Sequence, residues 1–400
     1  MPGTGLSAAG ASVTVLTSAA EGMPRASMDG DVEVVCSRLS NLWARDFVEN
    51  IHHLNHALLR DAVALHLKAP FDLIHAHDWS VAFAASGLKH AFRLPLVATI
   101  HATERGRNLG IGTDEQRYIS QGDWFLAYEA WKVICCSRAM REEIIRDLSV
   151  PEDKIHVIHN ATQVENFAGR FNRKLFRRRF VQDDEKLVLF VGRLVFEKGV
   201  QVLLGAAARL NDKAPRTKFV IVGSGDQAWL GQIALERGVA DRVEFIQRLP
   251  DKALWRLYRV ADVAVFPSLY EPFGMVAVES MAAGTLTVVS DVGGLSEIVE
   301  HGVDGMKFPP GDETALAQSL EAALFDSAGA AAIGRRAQEK VRRLYTWPPV
   351  ADETLKVYQS VLEERKKSRW HDNLHDEASF RHPASGRANT RQKERRRSDL

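Results

Sequence analysis

The chain has 400 residues, 46% of them hydrophobic and 8% aromatic, enough to fill two ordinary cores. Its formal net charge is +1, but residues 365–400 hold eleven Lys/Arg against five Asp/Glu, a net of +6, so the body is slightly acidic and nucleic acid is not expected as its partner. Three cysteines cannot make a disulfide framework, no stretch of about 18 apolar residues occurs, and no basic start precedes a long apolar block; a cytoplasmic protein without a transmembrane segment is expected.

In chain order, GLSAAGASVTVLT reads as the end of a helix running into a strand. Asp29-Gly30-Asp31 resembles a magnesium-binding pair only as far as any acidic turn does. Trp43, Phe47, Ile51, Leu54 and Leu58 recur at helical spacing. Within that stretch HHLNH (52–56) has ligand-like spacing but lacks the glutamate of a zinc protease, so no metal is expected. FDLIHAHDW then places His75 and His77 on one strand face, ahead of Asp78 and Trp79. LPLVATIH ends a neighbouring strand at His101, and KVICCS and KIHVIHN complete a first sheet that closes near Asn160. A lone histidine is more often packed or hydrogen-bonded than catalytic, so His75, His77 and His101 are candidates rather than assignments.

Residues 161–184, with the basic FNRKLFRRRF, bridge to a second sheet, and a solvated helix is expected there. EKLVLFVG, TKFVIVGSG, RVEFIQ, ADVAVFP and TLTVVSD supply its strands. Short apolar runs alternating with amphipathic segments predict parallel α/β sheets in both halves. After Pro309 the pattern is helical, with a break at Trp347 to Pro349 and a last amphipathic segment from Val350 to Glu364. The rest is too polar to offset its ordering entropy and is expected to be a disordered basic tail. The divisions are 1–165, 166–346, a helix at 347–364 expected to cross back to the first domain, and 365–400.

The chemistry concentrates at the carboxyl edge of the second sheet, where open α/β sheets bind ligands. FVGRLVFEKG puts Arg193 and Lys198 just beyond a strand, a planar fork and a mobile point charge that together suit a diphosphate. VIVGSGD adds Gly223 and Gly225, where a backbone can approach phosphate closely. SDVGGLSEIVEHGVDG adds a Gly293-Gly294 turn and Glu297. In EPFGMVAVE, Glu271 and Glu279 flank a helix start expected over Phe273 to Ala283, with Gly274, Met275 and Val276 at its N-terminus, a natural anion site. Glu279 lies among Val276, Ala277, Val278 and Met281, where a carboxylate needs a partner; sugar or ribose hydroxyls would serve.

Together GRLVFEKG, SLYEPFGMVAVESMAAG, SDVGGLSEIVEHGVDG and HDW with TIHATERGR resemble the retaining glycosyltransferases of family 4, whose two-domain architecture is GT-B, and most closely the glycogen and starch synthase-like branch. The likeness covers about residues 8–362 and implies two Rossmann-like domains facing a cleft. It also implies that Glu271 faces the transferred sugar, Glu279 holds the nucleotide ribose, Arg193 and Lys198 bind the diphosphate, and His101 lies on the acceptor side with His77, Asp78 and Trp79. Base contacts are expected around Gln247 to Leu249, including Arg248. No cofactor is implied beyond the nucleotide-sugar donor, which with a carbohydrate acceptor makes up the expected partners. The family opens with a strand and a Gly-Gly loop that this chain lacks, so the first domain reads as truncated at its N-terminus. The expected activity is transfer of glucose from ADP- or UDP-glucose to an α-glucan or related acceptor. A sugar-nucleotide-binding protein without turnover and a GT-B sugar-nucleotide epimerase stay open as alternatives.

Overall fold

The computed structural model describes residues 2–19, 22–39, 43–210 and 213–371; the stretch 372–400, which holds most of the expected disordered tail, lies outside the described residues. Strands of the first half are β1 (Thr14–Ser18), β2 (Ala26–Asp29), β3 (Val32–Ser37), β4 (Ile74–His77), β5 (Leu96–Ile100), β6 (Lys132–Cys135) and β7 (Ile155–Val157). They form two sheets, β1-β3-β2 and β4-β5-β6-β7. The four-stranded sheet is wholly parallel, whereas β3 runs parallel to β1 and antiparallel to β2. Asp29-Gly30-Asp31 is an acidic turn: Asp29 pairs with Val32, and Gly30, at φ 60, with Asp31 forms the two-residue connection between the strands.

The second half has one six-stranded parallel sheet of β8 (Lys186–Val191), β9 (Thr217–Val222), β10 (Val243–Ile246), β11 (Val263–Phe266), β12 (Leu286–Ser290) and β13 (Met306–Phe308), in the order β10-β9-β8-β11-β12-β13. Both faces are covered, which is why its strands read as unbroken apolar runs. On one face Val188, Phe190 and Phe219 pack with Leu203, Leu204 and Ala207 of the helix Val200–Arg209. On the other, Leu187, Leu189 and Val220 lie in the core that includes Ala277, Val278 and Met281 of the helix Met275–Ala282. The strand order reverses between β8 and β11, and their carboxyl ends open a crevice there.

The Arg-rich bridge is not a solvated helix. Its helical pieces are a 3-10 turn at Val164–Phe167 and the short helix Arg173–Arg177; Phe176 is buried, and Arg177 donates to the carbonyls of Val260 and Glu185 and to the Asp262 carboxylate, clamping the bridge to the second domain. The helical run is interrupted near the Trp-Pro-Pro sequence: one helix ends at Leu344, and Trp347 opens the next, Trp347–Lys367, whose first-turn prolines lack only N–H groups that would have no intrahelical acceptor. That helix continues three residues past Glu364 and seats Val357 and Val361 against Val97, Ile134 and Ile158 of the first domain. Among the described residues no helix is long and apolar enough to cross a membrane.

Candidate active site

The crevice is shaped by loops that glycine allows to touch. Beyond β8 the chain turns through Phe196–Lys198 and Gly199, at φ 72, into the helix Val200–Arg209. A Cβ on Gly199 would strike the Pro267 carbonyl, so this loop lies directly on the end of β11. The approach puts Lys198 Nζ 2.7 Å from Glu271 Oε2, an oxygen that also accepts from Ser268 Oγ at 3.2 Å. Arg193 donates to Glu197 Oε1 at 3.0 Å. Each cation thus has a carboxylate partner, and a ligand's phosphates would compete for it.

The helix after Glu271 starts at Met275, two residues later than its sequence suggests, because Gly274 sits at φ 110 as its cap and Phe273 belongs to the turn. Gly293, at φ 50, and Gly294 let the turn after β12 press on the backbone of Glu271 to Phe273, and Gly294 N donates to the Glu271 carbonyl at 2.9 Å. The two glycines therefore buttress the acid. A cavity of about 350 Å³ results, lined by His101, Arg193, Lys198, Glu271, Phe273, Gly274, Met275 and Val276, with Asn160 and Ser268.

Other expected donor residues lie outside this lining. Gly223 and Gly225 serve loop packing first: a Cβ on either would meet the carbonyl of Gly192 or Leu194, and Leu194 N bonds to Ser224 O. Arg248 is exposed, and Leu249 packs against the core. Glu279 accepts from Tyr258 Oη at 3.2 Å, and burial pushes its carboxyl up to about 6.

On the facing side, the ends of β4 and β5 carry a stack of three imidazoles. His75 and His77 have ring centroids 4.4 Å apart, and His77 Nδ1 is 3.0 Å from His101 Nε2. His75 is enclosed between Thr99 Oγ1 and the hydroxyl of Tyr358, on the last helix. Burial holds His75 well below the ordinary histidine range and lowers His77 to about 4, with His101 adding to both shifts. Asp78, at φ 59, accepts the backbone N–H of His101 through its carboxylate at 2.8 Å. Trp79 is not on the cleft side: it is 6% exposed, packed with Ile51 and Ile119 under the helix Asp114–Glu129. HHLNH is likewise structural, since Asn55 ties Ile51, Ser80 and Ala84 together and His52 contacts the Tyr118 hydroxyl.

Several residues join the domains, and of these only Glu297 stands out in the sequence, as part of the motif after β12 rather than as a contact between domains. Tyr270, next to Glu271, donates to Glu143 Oε1 at 2.9 Å, and Thr103 donates to the same buried carboxylate. Ser137 Oγ donates to the Pro272 carbonyl at 2.6 Å. Glu297 reaches across to accept the N–H groups of Arg138 and Ala139 at 3.0 and 2.8 Å, at the N-terminus of the helix Arg138–Leu148. Ser137 before a helix had a readable signal as a cap; the partners across the cleft had none.

Two facing Rossmann-like α/β domains, with paired cations and carboxylates at the sheet edge of the second, define the GT-B class. Residues 3–166 match the family described as Glycosyltransferase Family 4, and residues 171–340 match Glycosyl transferases group 1. An uncharacterized glycosyltransferase of Methanocaldococcus jannaschii is 40% identical over 298 residues, 73% of this chain and 76% of the relative. A glycogen synthase of Mycobacterium tuberculosis is 35% identical over 289 residues, 72% of this chain and 68% of the relative. The solved sucrose-phosphate synthase of Thermosynechococcus elongatus superposes with a TM-score of 0.79 at 25% identity, covering 91% of this chain and 92% of that one. The chain belongs to the GT-B glycosyltransferases of family 4.

Proposed function

We propose that the protein is a retaining glucosyltransferase that moves glucose from a nucleotide-diphosphate donor, ADP- or UDP-glucose, to an α-glucan or related acceptor. The reading rests on the Lys198–Glu271 pair, a cation and an acid 2.7 Å apart in a cavity whose far side carries His101. The donor's diphosphate lies on Lys198, Arg193 and the start of the helix Met275–Ala282, where charge growing on the departing phosphate is stabilised. Glu271 takes hydroxyls of the transferred sugar, and Glu279 those of the ribose. The acceptor oxygen bonds to the anomeric carbon on the face the phosphate leaves; the carbon–phosphate-oxygen bond breaks, and the acceptor's proton passes to the phosphate. The likeness to a glycogen synthase supports glucose and glucan as first substrates to test.

The decisive experiment incubates the protein with ADP-glucose or UDP-glucose and glycogen, follows nucleoside diphosphate release, and reads the product linkage by proton NMR. Release coupled to new α-linked glucose is expected. A β-linked product overturns retention, and binding without release overturns the transferase reading. An epimerised sugar formed without acceptor would instead favour isomerisation.

A further inference from the structure

The helix Asp114–Glu129 turns Ile119, Gly122, Asp123, Leu126 and Ala127 inward and leaves another face to solvent. Along that outer face Arg117, Gln121, Trp124 and Tyr128 follow one another at spacings of four, three and four residues, one continuous stripe on a helix. Trp124 is 47% and Tyr128 65% exposed, yet their rings stack on each other, with centroids 5.2 Å apart and planes 19° apart. Beside Trp124 is a second cavity of about 380 Å³, bordered by Arg105, Arg117, Gln121 and Asp147.

We infer that this stripe and its cavity form a second carbohydrate-binding site, taking a stretch of α-glucan away from the point of transfer. The inference deepens the glucosyltransferase reading and rests on it for the choice of glucan. A pyranose ring is two-sided: one face is mostly C–H and settles on an aromatic plane, while its rim of hydroxyls needs planar donors and acceptors. The outer faces of the stacked Trp124 and Tyr128 rings supply the plane, and the amide of Gln121 with the guanidinium groups of Arg105 and Arg117 supplies the rim, while both oxygens of Asp147 are held by Arg146. From Arg117 to Tyr128 the stripe runs about 16 Å at 1.5 Å per residue, longer than one sugar ring.

Position also favours an acceptor chain. The segment that brings Arg105 to the cavity begins at His101, and Glu104 N donates to the buried Asp123 Oδ2 at 2.9 Å, fastening that segment to the inner face of the same helix. Gly106 lies so close to Tyr270 and Glu143 that a Cβ would strike both, placing Arg105 beside the meeting line of the two domains. A glucan whose end enters the cleft near His101 therefore has a route along this helix.

The test is affinity electrophoresis of the whole protein through native gels cast with glycogen, comparing wild type with Trp124→Ala/Tyr128→Ala and with Gln121→Ala. Wild type should be retarded, and the double variant should bind glycogen about tenfold more weakly, the loss expected for one stacking platform. Equal retardation of wild type and double variant, or no retardation of wild type, overturns the site. So does a fall in molar mass of the double variant by light scattering with glycogen binding intact, which would assign the stripe to contact between two copies. Both aromatic side chains are exposed, and Gln121→Ala leaves them in place, so a weaker but measurable loss there separates a bound sugar from a misfolded variant. If wild type binds glycogen through Trp124 and Tyr128 but releases no nucleoside diphosphate, the site stands and the transferase reading falls. If transfer to glycogen proceeds and the variants match wild type, the site alone falls.

Discussion

The two halves share an architecture but not a degree of regularity. The second domain has one sheet whose four inner strands are buried almost residue for residue, with the candidate donor residues on loops pinned to its edge by backbone-to-backbone contact. The first divides its strands between two sheets; β2 is mostly exposed, and the histidines are held by side-chain contacts and by Tyr358 from the far end of the chain. The difference separates two ways of placing a functional group. Loop-on-loop packing fixes a residue through atoms every amino acid has, whereas a side-chain network depends on each member.

The largest effect is expected where the donor is gripped. Lys198→Ala and Glu271→Ala should each reduce kcat by more than about a hundredfold, the range seen when one preorganised charge-stabilising group is lost. His101→Ala, on the looser side, should cost less, because an acceptor can be positioned by other contacts. Comparing kcat for the three variants with nucleoside diphosphate release as the readout checks the order; a His101 loss larger than the Lys198 loss would reverse it.

Backbone packing gives the next test. Gly223→Ala places a Cβ on the Gly192 carbonyl, and the two loops must separate, at a cost of about 3 kcal/mol or more. Gly231→Ala, in a helix of the same domain, meets nothing within 4 Å and should be neutral or slightly stabilising through helix propensity. Urea denaturation of both variants measures the difference directly, and similar midpoints would show that the loops tolerate separation.

The halves should also titrate with opposite signs. Burial raises Glu279 to about 6 from 4.5, so the native state binds more protons between those values than the unfolded chain does. Stability from this group is therefore present below 4.5 and lost as pH rises through 6. A shift of that size is worth about 2 kcal/mol at pH 8. Glu279→Gln should accordingly stabilise the unliganded protein at pH 8 by up to that amount, with the gain vanishing below pH 4.5, while nucleotide affinity falls. His77 runs the other way: lowered to about 4 from 6.5, it contributes stability above 6.5 that is lost as pH falls through 4, and the slope should be shallow because much of the ring is open to solvent. Thermal melting of Glu279→Gln and His77→Gln across pH 4 to 8 reads both slopes. A Glu279→Gln effect that does not change with pH would mean that the carboxylate is already satisfied without a ligand.

How much of this was readable follows from the same contrast. The inner strands of the second sheet are short, nearly continuous apolar runs, and parallel burial on both faces makes such runs nearly unmistakable. The cluster of Arg193, Lys198 and Glu271 followed, because strand ends in such a sheet meet at one edge. The β2–β3 hairpin was missed although Asp29-Gly30 is a turn signal, since β2 is too polar to read as a strand. Trp79 was misplaced for a different reason. A strand's end shows that the next residue is near the cleft but not which way the chain then turns, and the turn at Trp79–Val81 drives the indole into the core. Contacts across the cleft, such as Glu143 with Tyr270, depend on how two domains sit together, which leaves no periodic trace in either.

Glu297 offers the smallest and most local test, because it belongs to the regular half yet acts on the other. Its carboxylate accepts two N–H groups of the helix Arg138–Leu148 that have no intrahelical acceptor, so it is a helix cap delivered from another domain. Ser137 caps the same helix from within, accepting from Met140 N at 3.0 Å. With Ser137 still in place, Glu297→Ala should remove only the outer cap, about 1 kcal/mol, which corresponds to about a fivefold faster amide exchange. That change should appear at Arg138 and Ala139 and not at Met140. If Glu297 is part of what holds the domains together, exchange at the buried hydroxyl-linked segment around Thr103 and Tyr270 should rise as well. If it is a cap and nothing more, those positions should stay protected while Arg138 and Ala139 open. Unchanged exchange at all of them would mean that water replaces the carboxylate without loss, and that contacts such as Tyr270 with Glu143 and Ser137 with Pro272 hold the domains without it.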